Sequence, residues 1–482
     1  MNRKFLTNLS FLLFLNLLVK PFYILGIDAE IQNRVGTEEY GLYFSLLGFT
    51  FLFNILLDVG IVNFNTRTIA QQPFLIAKYF SKIFSLRMFL ALIYGGFVLL
   101  LGSLIGYDSS EIYMLIWLIC NQILAAFTLY FRSNLAGLLL FKYDTIVSVL
   151  DRFLLIIICS VLLWGGFTDK PFDIYWFIYA QTFAYAVTAI TALLFLISKQ
   201  KLGKLRGNKL FSIAILKQSA PYALLILLMT FYYRADSVML ERMLEDGKTQ
   251  AGIYANGFRF FEAANNIAFL FATLLLPLFS NLLKNKKSVA SLINLSSRIL
   301  IPGAILIATT CFFYSQELMG ARYINSTTQS GEVFGLLMIC FVFISTTYIF
   351  GTLLTANGNL KTLNKIAFVG VILNIVLNLI LIPMYQAYGA AIASVITQGL
   401  TALAQVWLCK SYFKLKINFE LFSKIVLFTF IMVTTGYVLK TVYVNEIEWH
   451  YAALIMLGSG SLNLFLFKII EFKNIRKLLL ER

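Results

Sequence analysis

The feature that most constrains this chain is the recurrence of apolar runs of about 18 to 25 residues along the whole sequence. Coiled as a helix at about 1.5 Å per residue, each run is long enough to cross a hydrocarbon core of about 30 Å. Of the 482 residues, 60% are hydrophobic and 13% are charged, about half the charged fraction of an ordinary soluble domain. The sequence therefore predicts an all-α polytopic membrane protein.

The apolar runs predict about 14 transmembrane helices. Their expected cores are residues 6–26, 40–60, 86–106, 112–133, 145–166, 174–197, 218–241, 252–282, 298–315, 332–356, 363–383, 388–409, 420–440 and 449–470. The joining segments are short, so the pattern leaves no room for a separate soluble catalytic domain.

The placement of positive charge predicts the orientation. The chain carries 39 Lys and Arg residues against 23 Asp and Glu. Most of the basic residues, with Arg87 among them, fall in alternate joining segments, and they include the run from Lys199 to Lys217. The positive-inside rule makes these segments and both termini cytoplasmic. The net charge of +16 is thus explained by topology, and no nucleic-acid partner is expected.

The residue types that catalysis or metal binding requires are scarce. His450 is the single histidine of the sequence, and the five cysteines lie within or beside apolar runs without a CxxC motif. This pattern predicts no disulfide framework, no metal site and no cofactor. It also lacks the acid, base and nucleophile set of an enzyme, so we expect a non-enzymatic function.

A weak internal repeat predicts two lobes. Tyr40-Gly41-Leu42-Tyr43 and Ala251-Gly252-Ile253-Tyr254 open the second and eighth spans. Six spans per repeat give parallel halves, related by a pseudo-two-fold axis along the membrane normal. The expected division is an N-lobe at 1–198 with helices 1 to 6, a basic cytoplasmic linker at 199–217, a C-lobe at 218–410 with helices 7 to 12, and two further helices at 411–482.

Three groups of motifs carry a family resemblance. They are Glu39-Tyr40-Gly41-Leu42-Tyr43 leading to Leu57-Asp58-Val59-Gly60, Arg234-Ala235-Asp236 followed by Gly252-Ile253-Tyr254, and Asn374 to Asn378 through Pro383 to Gly389-Ala390-Ala391-Ile392-Ala393-Ser394. On these motifs the chain resembles the polysaccharide transporter family, the O-antigen type lipid-linked oligosaccharide flippases of the multidrug/oligosaccharidyl-lipid/polysaccharide exporter superfamily.

The resemblance implies two six-helix lobes around a central cavity that opens alternately to the two sides of the membrane. It also implies a cargo of glycan linked to undecaprenyl diphosphate, surrounding membrane lipids, and the bacterial cytoplasmic membrane as location. A polysaccharide polymerase is an implied partner.

Ionisable residues inside the spans are the candidate site residues, because each costs at least about 2.5 kcal/mol in the bilayer. Arg234 and Asp236 lie in the seventh span, about 10 Å below the outer face by helix rise. Two positions apart, they point about 200° from each other, so each needs its own partner. Substrate diphosphate suits the planar guanidinium of Arg234. The alternative is an ion pair with a neighbouring helix.

Five further residues leave two interpretations open. Arg259 and Glu262 are three positions apart and can pair with each other, or Arg259 faces the cavity and Glu262 binds a coupling ion, Na⁺ or H⁺. Asp151 and Arg152 lie about 10 Å inside the fifth span and should face protein or water. Lys20 precedes a proline in the first span and either reaches the surface or belongs to a gate.

Other polar positions are better explained as structural. We expect Asp58 to bond the exposed backbone at a helix end. Asn374 and Asn378 are expected to form hydrogen bonds between helices, and Gly389 to Ser394 is a small-residue surface for close helix packing.

Three functions are compatible with this pattern. The first is a lipid-linked oligosaccharide flippase, in which arginines hold an anionic head group. The second is a multidrug or cation antiporter of the same superfamily, which needs a cavity dominated by carboxylates. The third is a membrane glycan polymerase, ligase or acyltransferase, which needs catalytic groups outside the membrane, where only His450 is available.

Overall fold

The computed structural model describes residues 15–469, except 17, 167–169, 201–208, 416–417 and 444–445. Within these residues all regular secondary structure is helical. The chain forms two compact units, Met1–Gly252 and Ile253–Arg482. The start of the first predicted span, residues 201–208 of the basic linker and the basic tail lie outside the described residues. The lobe boundaries expected from the repeat stay a prediction.

The first unit contains nine α-helices and the start of a tenth within the described residues. They are α1 (Ala29–Val35), α2 (Thr37–Leu52), α3 (Ile55–Asp58), α4 (Ile61–Gln71), α5 (Ile76–Ile105), α6 (Ser109–Gly137), α7 (Phe141–Trp164), α8 (Ile174–Lys199), α9 (Lys209–Met243) and the start of α10 (Gly247–Lys284). A π-helical turn, Tyr23–Asp28, precedes α1. Helix α6 packs against α8, and α9 packs against α2.

The second unit holds the rest of α10 and six more helices in the described part of the chain. They are α11 (Ala290–Phe313), α12 (Ser315–Arg322), α13 (Thr328–Ala356), α14 (Leu360–Phe413), α15 (Phe419–Thr441) and α16 (Trp449–Leu466). The last two helices join α11 in one apolar core that includes Leu306, Phe428, Met432 and Met456. The C-terminal pair is therefore part of this unit's packing.

Nine helices in the described part of the chain are long and apolar enough to cross a membrane. One of them, α14, contains two predicted spans, because the backbone of Gln386 leaves the helical region with φ 53° and ψ −133°. The prediction of an all-α polytopic membrane protein is confirmed. In α14 the side chain of Asn378 donates to that of Asn374 at 3.2 Å, so these two amides bond within one helix.

The segment predicted as one span at 40–60 is interrupted. Helix α2 ends at Leu52, one short turn follows as α3, and α4 starts at Ile61. Between them, Val59 and Gly60 both take the left-handed conformation, with φ of 46° and 78°. Glycine adopts this region freely, whereas a β-branched valine is strained there. The interruption exposes backbone and polar side chains inside the bundle.

The two repeated motifs pack directly against each other. A Cβ added to Gly41 would overlap the carbonyl oxygen of Lys248 and lie 2.6 Å from the backbone nitrogen of Gly252. A Cβ on Gly252 would overlap the carbonyl oxygen of Thr37. Gln32 Nε2 donates to the carbonyl oxygen of Gly252 at 3.1 Å. Glycine is therefore required where α2 crosses the start of α10.

This crossing makes a testable prediction. The variant Gly41→Ala should lower the free energy of unfolding by about 1 to 3 kcal/mol, because the methyl group forces two helix backbones apart. The matched control is Gly96→Ala on α5, where an added Cβ meets no heavy atom of the described residues within 4 Å. Thermal unfolding of the two purified variants in detergent measures their stabilities. Equal melting temperatures would contradict the close contact between α2 and the start of α10.

Candidate functional site

The first unit contains a cavity of about 430 Å³, whose lining is mainly apolar but includes charged and polar side chains. The interrupted segment α2 to α4 forms one wall, and α5, α6, α7, α8 and α9 form the others. The lining residues are Phe51, Asn54, Ile55, Asp58, Val62, Arg87, Gln122, Ala125, Ala126, Leu129, Asp151, Arg152, Tyr185, Ile226 and Thr230. Four ionisable side chains, two acidic and two basic, are among them.

The first charged pair joins α3 to α5. Arg87 Nη1 donates to Asp58 Oδ1 at 2.7 Å, and Nη2 donates to the carbonyl oxygen of Ala126 at 2.9 Å. The guanidinium also lies 5.4 Å from the ring centre of Tyr130. Only 2% of the Arg87 side chain is exposed. Because a buried guanidinium needs a counter-charge, this pair fixes the broken segment against α5.

Asp58 remains partly available to a ligand. Its Oδ1 accepts from Arg87 and from the backbone nitrogen of Val62, at 3.2 Å. Within the part of the chain that the structure describes, Oδ2 accepts no hydrogen bond, and 26% of the side chain is exposed. The expected bond to the helix-end backbone is present, but the ion pair was not foreseen. Arg87 lies about 16 Å into α5 by helix rise, and its assignment to the cytoplasmic side stays a prediction.

The second charged pair lies on α7. Arg152 Nη1 donates to Tyr185 Oη at 2.9 Å, and the guanidinium stacks 4.8 Å from the ring centre of Tyr23. Asp151 Oδ2 is 3.8 Å from Arg152 Nε, which is longer than a hydrogen bond. The two residues face a protein-lined cavity, as expected of charges at this depth. The other carboxylate oxygen, Asp151 Oδ1, accepts from the backbone nitrogen of Arg152 at 2.8 Å.

Neutral polar groups complete the lining. Asn54 Nδ2 donates to Gln122 Oε1 at 3.4 Å, a long hydrogen bond. Thr230 Oγ1 donates to the carbonyl oxygen of Ile226 on its own helix. The side chain of Gln122 forms no other hydrogen bond to the described residues, so its amide NH₂ group faces the cavity without a protein acceptor. The wall therefore offers both donors and acceptors.

Arg234 and Asp236 lie beside this cavity on α9. The Arg234 guanidinium is 4.5 Å from the ring centre of Phe51 and 6.0 Å from that of Phe44. Phe51 is a lining residue of the cavity, whereas Arg234 is not. Asp236 is buried. The cation stacks on aromatic faces, which is a favourable arrangement for arginine in a low-dielectric environment.

The other predicted site residues lie apart from the cavity lining. In the second unit Arg259 Nη1 donates to Glu262 Oε2 at 2.8 Å, so of the two interpretations the structure forms the intrahelical pair. Lys20 is half-buried in the first unit and is not a lining residue.

A second charged cluster joins the ends of α6, α9 and α10. Arg242 binds both carboxylate oxygens of Glu241, at 2.6 and 2.7 Å, and lies 3.9 Å from the ring centre of Tyr107. Glu111 accepts from Arg242 at 3.2 Å and from Lys248 at 2.9 Å. Neither Arg242 nor Lys248 is among the candidate site residues that the sequence indicates. Their distant partners give them a structural role that fixes three helix ends.

The start of α6 is stabilised by a capping box. Asp108 Oδ1 accepts from the backbone nitrogens of Ser110 and Glu111, each at 2.8 Å. The Glu111 N–H is the main cause that holds the pKa of Asp108 below its ordinary value, since it stabilises the ionised form. Asp108 thus remains an effective cap at neutral pH.

Solved structures place this fold among membrane transporters. The chain is similar to the lipid II flippase MurJ in an inward closed conformation, with a TM-score of 0.72, 15% identity, and coverage of 98% of this chain and 99% of that one. It is also similar to an inward-facing MATE family transporter of the MOP superfamily, with a TM-score of 0.64, 13% identity, and coverage of 82% and 94%. The chain is also similar to a Vibrio cholerae MATE transporter, VcmN, with a TM-score of 0.54, 14% identity, and coverage of 84% of this chain and 97% of that one.

At these identities the likeness shows the fold alone. The sequence itself matches the family described as polysaccharide biosynthesis protein over residues 5–283, which is more than half of the chain. The chain belongs to this family. No curated protein sequence is significantly similar to it.

The buried pair makes the second prediction. Arg87→Leu should lower the free energy of unfolding by about 3 kcal/mol, because it leaves Asp58 and the Ala126 carbonyl without their donor. Asp58→Asn should also be destabilising, because the buried guanidinium loses its counter-charge. The double variant should lose less free energy of unfolding than the two single variants lose together, with a coupling energy of about 0.5 to 3 kcal/mol.

Unfolding of the four proteins in detergent measures this cycle. The surface pair of Arg34 and Glu30, at 3.3 Å with Arg34 47% exposed, is the control. Its coupling should stay below about 1 kcal/mol. Strict additivity of Arg87→Leu and Asp58→Asn would contradict the ion pair.

Proposed function

We propose that this protein is a flippase that moves a polyprenyl-diphosphate-linked oligosaccharide from the cytoplasmic to the outer leaflet, for biosynthesis of a cell-surface polysaccharide such as O-antigen, capsule or exopolysaccharide. The observation that carries the proposal is the cavity with charged and polar side chains among the membrane helices of the first unit. Family membership and the likeness to a lipid II flippase support it.

Charged and polar side chains at this depth are costly unless they serve a polar cargo. Asp58, Asp151, Arg87 and Arg152 would each be unfavourable in hydrocarbon, and in transporters such residues mark substrate or ion pathways. A hydrophilic head group needs a surface of this kind to cross the bilayer, whereas a polyprenyl tail is soluble in lipid. The head group passes through the protein while the tail stays in the membrane.

Arg234 is the proposed partner of the diphosphate. Its planar guanidinium matches the geometry of phosphate oxygens and can bind two of them at once. The guanidinium lies 4.5 Å from the ring centre of Phe51 and 6.0 Å from that of Phe44, and aromatic faces favour a nearby cation. A diphosphate group would bind this cation through charge-assisted hydrogen bonds.

Further elements of the proposal follow from the charge pattern and the family. The protein resides in the bacterial cytoplasmic membrane with both termini cytoplasmic, by the positive-inside rule. Two lobes expose the cavity alternately to each side.

Transport changes no covalent bond of the cargo. A gradient of Na⁺ or H⁺ is the proposed energy source, and a polysaccharide polymerase on the outer face is the proposed consumer of the product.

The third prediction concerns Arg234. Arg234→Ala should lower the rate of lipid-linked oligosaccharide translocation by about ten- to hundredfold, because about 1.5 to 3 kcal/mol of charge-assisted hydrogen bonding is lost. Arg234→Lys should retain part of the activity, since the positive charge remains. Surface glycan display in a flippase-deficient strain and head-group accessibility in proteoliposomes measure the effect.

The control is Arg34→Ala, which removes an exposed arginine of the same unit. It should leave glycan display unchanged. Normal display with Arg234→Ala, at wild-type protein level, would contradict the assignment. Resistance of cells to toxic cations that depends on the gene would instead favour the antiporter.

A further inference from the structure

The described lining of the cavity in the first unit has equal numbers of positive and negative side chains. It contains two guanidinium groups, from Arg87 and Arg152, and two carboxylates, from Asp58 and Asp151. Each guanidinium lies beside a carboxylate, at 2.7 Å in the first pair and 3.8 Å in the second. A dianion gains little from such a surface, because each cation is already matched. An inorganic cation gains little for the converse reason.

The same lining is rich in hydrogen-bonding groups that protein partners leave available. Asp58 Oδ2 accepts nothing from the described residues. Asp151 Oδ1 accepts from the backbone nitrogen of Arg152 at 2.8 Å, and Asp151 Oδ2 lies 3.8 Å from Arg152 Nε, beyond hydrogen-bond distance. Gln122 uses its Oε1 in the long contact with Asn54, which leaves the NH₂ group. Acceptors on α3 and α7 thus converge with a donor on α6. This combination suits a neutral ligand that has several hydroxyl groups.

Apolar and aromatic groups form the rest of the wall. Phe51 and Tyr185 present rings, and Ile55, Leu129 and Ile226 present aliphatic surface. A sugar ring has the complementary character, with C–H groups on its faces and hydroxyl groups around its edge. The cavity volume of about 430 Å³ lies within the range of about 300 to 1,000 Å³ that is typical of small-molecule sites. One sugar unit, or two, is therefore of suitable size.

We infer that this cavity is a sugar subsite, which binds an uncharged ring of the lipid-linked glycan, while the diphosphate is held separately near Arg234. The inference rests on the proposed function and adds a specificity element to it. Asp58 Oδ2 and the Gln122 amide select the ring by the positions of its hydroxyl or acetamido groups. The ion pair with Arg87 positions Asp58 for this contact.

The test uses the purified full-length protein in detergent with soluble probes. Methyl glycosides of common neutral hexoses and of N-acetylhexosamines represent the sugar ring, and inorganic pyrophosphate represents the diphosphate. Saturation-transfer NMR and calorimetry should detect at least one glycoside, with Kd in about the millimolar range. Two variants remove the site by different means.

Gln122→Leu deletes the amide at nearly constant volume, and should weaken glycoside binding about fivefold or more, the value of one hydrogen bond. Ala125→Leu fills the cavity and should abolish the binding. Neither variant should change pyrophosphate binding. The matched control is Gln72→Leu, in the exposed turn before α5, which should leave the binding of both probes unchanged.

Three outcomes decide the inference. Glycoside binding that survives both cavity variants overturns it, and so does the absence of glycoside binding to wild-type protein that binds pyrophosphate. Loss of pyrophosphate binding in Ala125→Leu also overturns it, because the cavity would then hold the diphosphate. Failure of the proposed function has a different signature: wild-type protein binds glycosides in the cavity but moves no lipid-linked oligosaccharide in proteoliposomes.

Discussion

The ion pair between Asp58 and Arg87 is the interaction on which the first unit depends. A bilayer gives charged groups no solvent, so each must find a partner or a water-filled space. Arg87 is buried in α5 and directs its guanidinium to Asp58 and to the Ala126 carbonyl. Helix α3 is the short turn that separates α2 from α4. The contact with Arg87 holds this turn in place. Without it, an unmatched buried charge and a strained turn at Val59 would remain.

The interruption that the pair stabilises also creates the site. A continuous helix over 40–60 would satisfy its own backbone and present mainly apolar side chains. The break instead places Asn54 and Asp58 in the cavity lining, where Asn54 bonds to Gln122 on α6 and Asp58 bonds to Arg87 on α5. Irregular backbone at membrane depth is tolerated only where protein or a polar cavity surrounds it. The ion pair and the cavity therefore both depend on this break in the helix. A continuous helix engineered across the break should remove both the ion pair and the cavity.

The sequence predicted the class of fold well because bilayer thickness acts on every span in the same way. Asp151 and Arg152 were also correctly expected to face protein or water, since their cost in lipid depends on local position alone. The partner of Asp58 was not predictable in this way. It lies 29 positions away, and Arg87 at a span edge has the same local pattern as a cytoplasmic loop residue. The glycine motifs were visible as a repeat, but their mutual contact depends on tertiary packing.

The most direct test of the flippase assignment is head-group translocation by the wild-type protein in proteoliposomes. Vesicles are loaded with fluorescent polyprenyl-diphosphate oligosaccharide in both leaflets, and a membrane-impermeant quencher or glycosidase reports the outer fraction over time. Full accessibility within minutes in protein-containing vesicles, against about half in protein-free vesicles, is the predicted result. Equal accessibility in the two vesicle populations would contradict the assignment.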